Sequence, residues 1–341
     1  MGGAGRTAPL SRRLQAVAEL VAGRGIMSGA VTADIPEDVT VVQSGDIGCL
    51  ADVGTDHGYI PIYMIQQKIA KKAIAMDINR GPLQRAQEHI DEHQLGAYIQ
   101  TRLSDGLASL KSGEAQVIVI AGMGGATMIH ILAEGAEVIG PDTLLVLQPQ
   151  SELKEFRQYL WERGFQILAE DMVKEDGKYY PMMKVRRRCQ ADEMEQESRG
   201  KTEDAGQGLC LQTECLEQGL CRQMEWRYGP LLLHQRHPVL REYLEWQLMQ
   251  QREILEHLRR AEESVKQVEE ADDGSVQSRK ADDSSIQSKE ADNAPSSLDA
   301  AAEDPGQSEQ RELMGRRSRR KQEIQEEIGY LRQALAWYEE G

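Results

Sequence analysis

A doubly wound α/β sheet closed by an antiparallel hairpin and followed by a helical arm is the architecture this sequence predicts. Three observations carry it. Short apolar runs at 48–53, 72–77, 98–103, 116–121 and 143–148 alternate with helical stretches near 60–69, 81–95, 126–138 and 151–163. A helix in every crossover makes those strands parallel. Two more strand-like runs, Phe165 to Lys174 and Lys178 to Arg187, flank Glu175-Asp176-Gly177, a short turn with glycine where positive φ is wanted. Finally, 241–268 and 311–340 repeat apolar residues at helical spacing, with Leu244, Leu248, Leu255 and Leu258 on one helix and Ile324, Ile328, Leu331 and Leu335 on the other. They predict a coiled-coil-like antiparallel helical hairpin.

The remaining segments follow in order. Leu10 to Ala22 has helical periodicity with Ser11 placed to cap it. Residues 23–47 mix glycine, proline and acids and read as an irregular loop, within which the family resemblance drawn below implies an insertion at about 30–48. The sheet domain then spans 10–188, a polar linker 189–223, and the helical domain 224–341. Within the last, Ala271-Asp272-Asp273, Ala281-Asp282-Asp283 and Ala291-Asp292-Asn293 recur every ten residues among serines. Poor in apolar residues, about 269–308 is expected to be disordered.

Charge is distributed unevenly along the 341 residues, whose formal net charge is -16. Residues 1–188 carry 20 bases against 23 acids, so the sheet domain is nearly neutral and the acidity belongs to the second half. Nucleic acid is therefore not excluded as a partner. No stretch is apolar for long enough to span a bilayer and no signal-peptide core is present, which predicts a cytoplasmic protein without membrane contact. Five cysteines do not make a disulfide framework, and Cys210, Cys215 and Cys221 are spaced too widely for a usual zinc site, so no metal is expected. His89 and His93, four apart on a helix, sit among polar neighbours and read as surface. Nothing calls for an obligate protein partner.

The chemistry concentrates at the strand ends. Cys49 to Tyr59 is a strand running into a glycine turn in which Asp52, Gly54, Asp56 and Gly58 follow the form D-x-G-x-G-x-G with Asp56 at the middle glycine. Bare backbone lets a nucleotide-like ligand approach, but carboxylates repel a phosphate and suit amines, hydroxyls or positive charge. S-adenosylmethionine offers all three, whereas a dinucleotide wants the absent G-x-G-x-x-G. Thr55 and Tyr59 belong to the same turn. Asp77, about twenty residues on, can accept both ribose hydroxyls, with Ile78 beside it. Ser104-Asp105-Gly106 places a further acid where an adenine amine can donate. Each has an ordinary alternative, as helix cap or Asp-Gly turn, and their conjunction is what points to one crevice.

Ala121-Gly122-Met123-Gly124-Gly125 leaves the fourth strand and lets a flat base approach the cofactor methyl, unless its glycines serve tight packing or an anion at the helix start. Gln148-Pro149 occupies the equivalent exit of the fifth strand, where an amide can read a base edge. Asp56, His57, Gly122, Met123 and Gly124 are thus the candidates nearest the chemistry, and Gly125, Gln148 and Pro149 the candidates for substrate. Arg316, Arg317, Arg319 and Arg320 form a basic cluster that suits phosphates or is simply solvated.

Taken together, Ser11-Arg12-Arg13-Leu14, Ala51 to Tyr59, Asp105-Gly106-Leu107, Ala121 to Gly125, Leu147-Gln148-Pro149 and Glu175 to Tyr180 resemble the bacterial TrmK family in order and content. The resemblance implies a class I (Rossmann-like) methyltransferase sheet and a helical C-terminal domain. It further implies transfer of a methyl group from S-adenosylmethionine to N1 of adenine 22 in tRNA, with Arg13 positioning a tRNA phosphate. Other readings keep the cofactor but change the acceptor, or keep only the fold as a scaffold.

Overall fold

The computed structural model describes residues 10–23, 47–188, 215–282 and 305–339. Seven strands form one sheet: β1 (Ile47–Val53), β2 (Ala70–Asp77), β3 (Ile99–Leu103), β4 (Val117–Met123), β5 (Leu144–Pro149), β6 (Phe165–Glu175) and β7 (Lys178–Arg187). Their order is β3-β2-β1-β4-β5-β7-β6. The first five are mutually parallel, while β7 runs antiparallel to both β5 and β6. This is the doubly wound sheet with an antiparallel close that the alternating pattern and the hairpin predict.

Strand periodicity explains why both faces are covered. In β4, Val117 and Val119 face one apolar cluster and Ile118 and Ile120 the other. The first cluster takes Val17 and Val21 of α1 (Arg12–Val21), Ile62 and Met64 of α2 (Tyr59–Gln66) and Ile90 of α3 (Arg80–Glu92). The second takes Met128 and Leu132 of α4 (Gly125–Glu134) with Phe156 and Leu160 of α5 (Leu153–Glu162). Ser11 Oγ accepts from the Leu14 amide at 3.3 Å, so α1 starts at the predicted cap. Asp176 and Gly177 have φ of 49° and 75°, the pair of positive values that a two-residue hairpin turn requires. Strand order reverses at β1, which has β2 on one side and β4 on the other. The crevice for a ligand therefore opens at their C-terminal ends.

Several expected boundaries move. The polar linker was drawn to 223, yet α6 (Cys215–Tyr228) is helical from Cys215; residues 189–214 lie outside the described residues. The chain divides into compact units at Arg241, so α6 and α7 (Pro230–His234) belong with the sheet rather than with a helical domain beginning at 224. The reason is a buried ion pair. Arg157 Nε of α5 meets Glu170 Oε1 of β6 at 3.0 Å, both side chains being almost fully enclosed. Arg157 also donates to the carbonyls of Trp226 and Arg227 at the end of α6, and Glu170 accepts the Leu231 amide at 2.9 Å at the start of α7. One pair thus caps two helix ends. Gly229, at φ 95°, has no room for a side chain, since a Cβ would stand 2.7 Å from the Glu170 carboxylate.

The second unit, from Glu242, contains most of α8 (Pro238–Asp282) and α9 (Pro305–Glu339). Leu255 packs with Ile324 and Ile328, and Lys321 Nζ lies 2.7 Å from Glu262. Rising numbers on one helix meet falling numbers on the other, so the pair is antiparallel. Disorder over 269–308 is corrected at both ends: α8 continues through the first acidic repeat to Asp282, and α9 begins at Pro305. Alanine, glutamine, lysine and arginine in that repeat are good helix formers. Residues 283–304 lie outside the description, as do 24–46 of the expected insertion; Ile47 and Gly48 are already in β1. Among the described residues no helix is long and apolar enough to cross a membrane.

Candidate active site

The turn after β1 is folded back over β2. Gly54 and Thr55 both donate to the Met76 carbonyl, at 2.8 and 2.9 Å, and Gly54 and Gly58 adopt φ of 74° and 71°. Asp52 ends up buried, with Thr55 Oγ1 donating to its carboxylate at 2.7 Å. Burial pushes its pKa up to about 7, opposed by the Thr55 hydrogen bond and reinforced by the charge of Asp77. At the end of β2, Asp77 is likewise buried and accepts the Asn79 amide at 2.8 Å, which leaves its other oxygen for a ligand. Ile78 is 58 % exposed beside it, and Leu103, the register partner of Asp77 on β3, is 47 % exposed. Two apolar side chains therefore stand uncovered where the acids converge. Asp105 follows with an exposed side chain.

Other members of the predicted set have internal duties. Ser104 is buried; its hydroxyl donates to the Gly106 carbonyl at 2.9 Å and accepts the Ser109 amide at 3.1 Å. It shapes the loop that presents Asp105. Asp56, at φ 48°, turns its carboxylate to Arg85 Nη2 at 2.9 Å and to His57 Nε2 at 3.4 Å. The His57, Tyr59 and His89 rings lie 5.3–5.5 Å apart at shallow angles, and His89 Nδ1 donates to the His57 carbonyl at 2.9 Å. The contacts of Arg85 and His89 tie the turn to α3.

The β4 and β5 exits interlock. Gly54 is bare because Met123 needs the space: a Cβ on it would lie 2.2 Å from the Met123 methyl. Gly122, at φ 83°, donates its amide to Gln148 Oε1 at 3.1 Å, and Arg13 Nη1 donates to the same oxygen at 3.1 Å. Gln148 itself is completely buried, its amide nitrogen 3.2 Å from the Pro149 carbonyl. A base edge cannot reach it, so the expected direct reading by Gln148 is corrected. A Cβ on Gly125 would meet the Ser151 carbonyl at 2.6 Å and one on Gly124 the Ser151 hydroxyl at 3.0 Å, so both glycines admit the β5–α5 loop. Glu152 of that loop accepts the Ala126 amide at 3.3 Å, and its carboxyl is held below the usual range by Ser151 first and by that amide next. A carboxylate thus occupies the start of α4, where an anion would otherwise bind.

Comparison with known proteins agrees with this geometry. The family described as "Methyltransferase domain" matches residues 36–183. The tRNA (adenine(22)-N(1))-methyltransferase of Bacillus subtilis is 36 % identical over 174 residues, which cover 51 % of this chain and 63 % of that protein. The sheet domain is similar to these methyltransferases over that span. The chain spans less than two thirds of the length of the curated relatives it matches. The crystal structure of B. subtilis TrmK shares the fold, with a TM-score of 0.59 at 21 % identity over 96 % of this chain and 99 % of that one. The Streptococcus pneumoniae protein Sp1610 in complex with S-adenosyl-L-methionine gives 0.53 at 29 % identity over 73 % and 92 %.

Within this candidate site, sequence reasoning missed three residues. Arg85 is a helix residue with no motif around it, and only the fold brings it to Asp56. Leu103 is the last residue of an ordinary strand. Tyr180 lies beneath Arg13, whose guanidinium carbon is 5.5 Å from the ring centroid, and its place in Lys178-Tyr179-Tyr180 was the one available signal. The basic cluster belongs to the other compact unit, where Arg316, Arg319 and Arg320 are exposed and Arg317 half-buried on α9, and Arg320 lies 3.2 Å from Glu323.

Proposed function

We propose that this protein transfers a methyl group from S-adenosylmethionine to N1 of adenine 22 in tRNA. The observation that carries the reading is the convergence of Asp52, Asp77 and Asp105 at three neighbouring parallel strand ends, around a glycine turn whose backbone is bare. The residues fit that cofactor. Asp77 keeps an acceptor for ribose hydroxyls, Asp105 one for an exocyclic amine, and the exposed Ile78 and Leu103 offer apolar cover to a flat ring. Asp52, with Thr55 on one oxygen, suits an ammonium or sulfonium charge. Glu152 at the start of α4 disfavours a ligand bearing phosphates there. Similarity to B. subtilis tRNA (adenine(22)-N(1))-methyltransferase supports the acceptor.

When bound, S-adenosylmethionine supplies an electrophilic methyl group on a positively charged sulfur. The work left to the chain is alignment. Neutral adenine already has an in-plane lone pair at N1, so no strong base is required, and holding the base in line supplies most of the advantage. The purine becomes cationic as it is methylated, and the acidic rim stabilises charge developing there. Met123 packs against Gly54, where a Cβ would stand 2.2 Å from its methyl. Incubating the purified chain with labelled cofactor and unmodified bacterial tRNA, then mapping the modified nucleotide, tests the reading. Label at N1 of adenine 22 is expected; label at another nucleotide overturns the acceptor, and no label with tRNA overturns the activity.

A further inference from the structure

We propose that the end of β7 carries a binding site for a small phosphate-bearing anion, built from Lys184 and Arg186 with Gln166 of β6 beside them. The site goes beyond the methyl-transfer reading and does not depend on it. Alternation along β7 puts Met182, Lys184 and Arg186 on one face of the sheet, with Met183 and Val185 on the other. Register pairs Lys184 with Val146 of β5, a member of the Met182 cluster, and Arg186 with Gln166. Because β7 runs against β5, these residues stand beside the first residues of β5 rather than its last. They therefore lie at the opposite end of the sheet from the crevice of Asp52, Asp77 and Asp105.

The cations there are enclosed and unmatched. Lys184 is only 8 % exposed, and no hydrogen bond or ion pair joins the side chains of Lys184, Arg186 or Gln166 to another described residue. Arg186 Nε is buried without an acceptor. Burial alone acts on the Lys184 ammonium and lowers its pKa, whereas a carboxylate within reach would raise it. Elsewhere in the same unit enclosed cations are answered: Arg157 meets Glu170 at 3.0 Å and Arg102 meets Glu114 at 2.8 Å. A buried charge without a counter-charge is costly, so an anion from outside is the missing partner. Two positive charges balance a doubly charged phosphate better than a single carboxylate. The guanidinium offers parallel donors, the ammonium a point charge and the Gln166 amide a further N–H. The enclosure of Lys184 admits a free phosphate more readily than the backbone of a folded RNA.

The test titrates the full chain with inorganic phosphate by calorimetry and follows its melting temperature, with sodium chloride keeping the ionic strength constant. The parent should bind phosphate and melt at a higher temperature as phosphate is added. Lys184→Met and Arg186→Gln should each weaken phosphate binding about tenfold or more, as expected when a charge-assisted hydrogen bond is lost, and should flatten the melting response. Arg186→Gln changes a half-buried residue and serves if Lys184→Met does not fold. A parent that neither binds phosphate nor melts higher in it overturns the proposal, as does an equal response in the parent and Arg186→Gln. A second arm measures the affinity of the same chains for a bacterial tRNA transcript, which should be unchanged. If Arg186→Gln weakens that affinity about tenfold while free phosphate does nothing to the parent, the site belongs to an RNA backbone and the small anion is overturned.

Discussion

The Glu170 clamp and the β1–β3 rim are built from the same material, carboxylates on strands or just past their ends, yet one is closed and the other open. Glu170 meets Arg157 and two helix-start amides, with Gly229 pressed against it. Asp77 accepts a single backbone amide, Asp52 a single hydroxyl, and Asp105 stands exposed. A carboxylate whose hydrogen-bonding capacity is filled holds structure together; one left partly unfilled in a crevice is available for a ligand. Burial alone does not distinguish them, because Asp52 and Asp77 are nearly as enclosed as Glu170.

Breaking the closed region should have the largest effect. Glu170→Ala strands Arg157 in the interior and frees the start of α7, and a loss of about 3–5 kcal/mol is expected by urea denaturation. A loss below about 1 kcal/mol would show that the clamp is not the structural element argued here. The open region should respond to pH instead. Asp52 has a folded pKa near 7, above its ordinary value of 3.8, so the folded state binds the extra proton between those limits. Its contribution to stability is therefore present in full below about pH 4, is lost as pH rises toward 7, and is flat beyond. Asp52→Asn should remove that decline and be the more stable chain at pH 8, on the order of a few kcal/mol. Parallel stability curves for the two chains from pH 4 to 8 would contradict the assignment.

Smaller effects sharpen the contrast. Asp105→Ala should weaken S-adenosylmethionine binding by about tenfold to a hundredfold, as expected for a lost hydrogen bond to a carboxylate. Its melting temperature should stay within a degree or two of the parent, as for a surface substitution with no structural partner. A fall in stability without a fall in affinity would move Asp105 to the closed class. Least of all, Lys321→Ala removes a half-exposed pair with Glu262 in the second unit, and a change of about 0–1 kcal/mol is expected by thermal denaturation.

Much of the sheet was readable because period-two burial and helix-bearing crossovers are local signals. The turn residues were readable as well, since Gly54, Gly58 and Gly177 adopt the positive φ that their neighbours demand. Roles were harder. Gln148 looked like a reader of bases because its exit position was known, but its burial depended on α1 returning to cover β5. Gly124 and Gly125 looked like a base slot, and only the fold reveals that the Ser151-Glu152 loop packs against them. Arg85 and Arg157 have no motif at all; each acquires meaning from a partner far along the chain.

By itself the sequence determined the order of the elements, the parallel sheet with its antiparallel close, and the set of acids gathered at the strand ends, since periodicity and turn chemistry act over a few residues. Tertiary structure alone decided which polar groups are satisfied from within and which face outward. Hydrogen-bond satisfaction is a property of distant partners meeting, and Asp105 and Glu170 are the same functional group until the fold supplies Arg157 to one and nothing to the other.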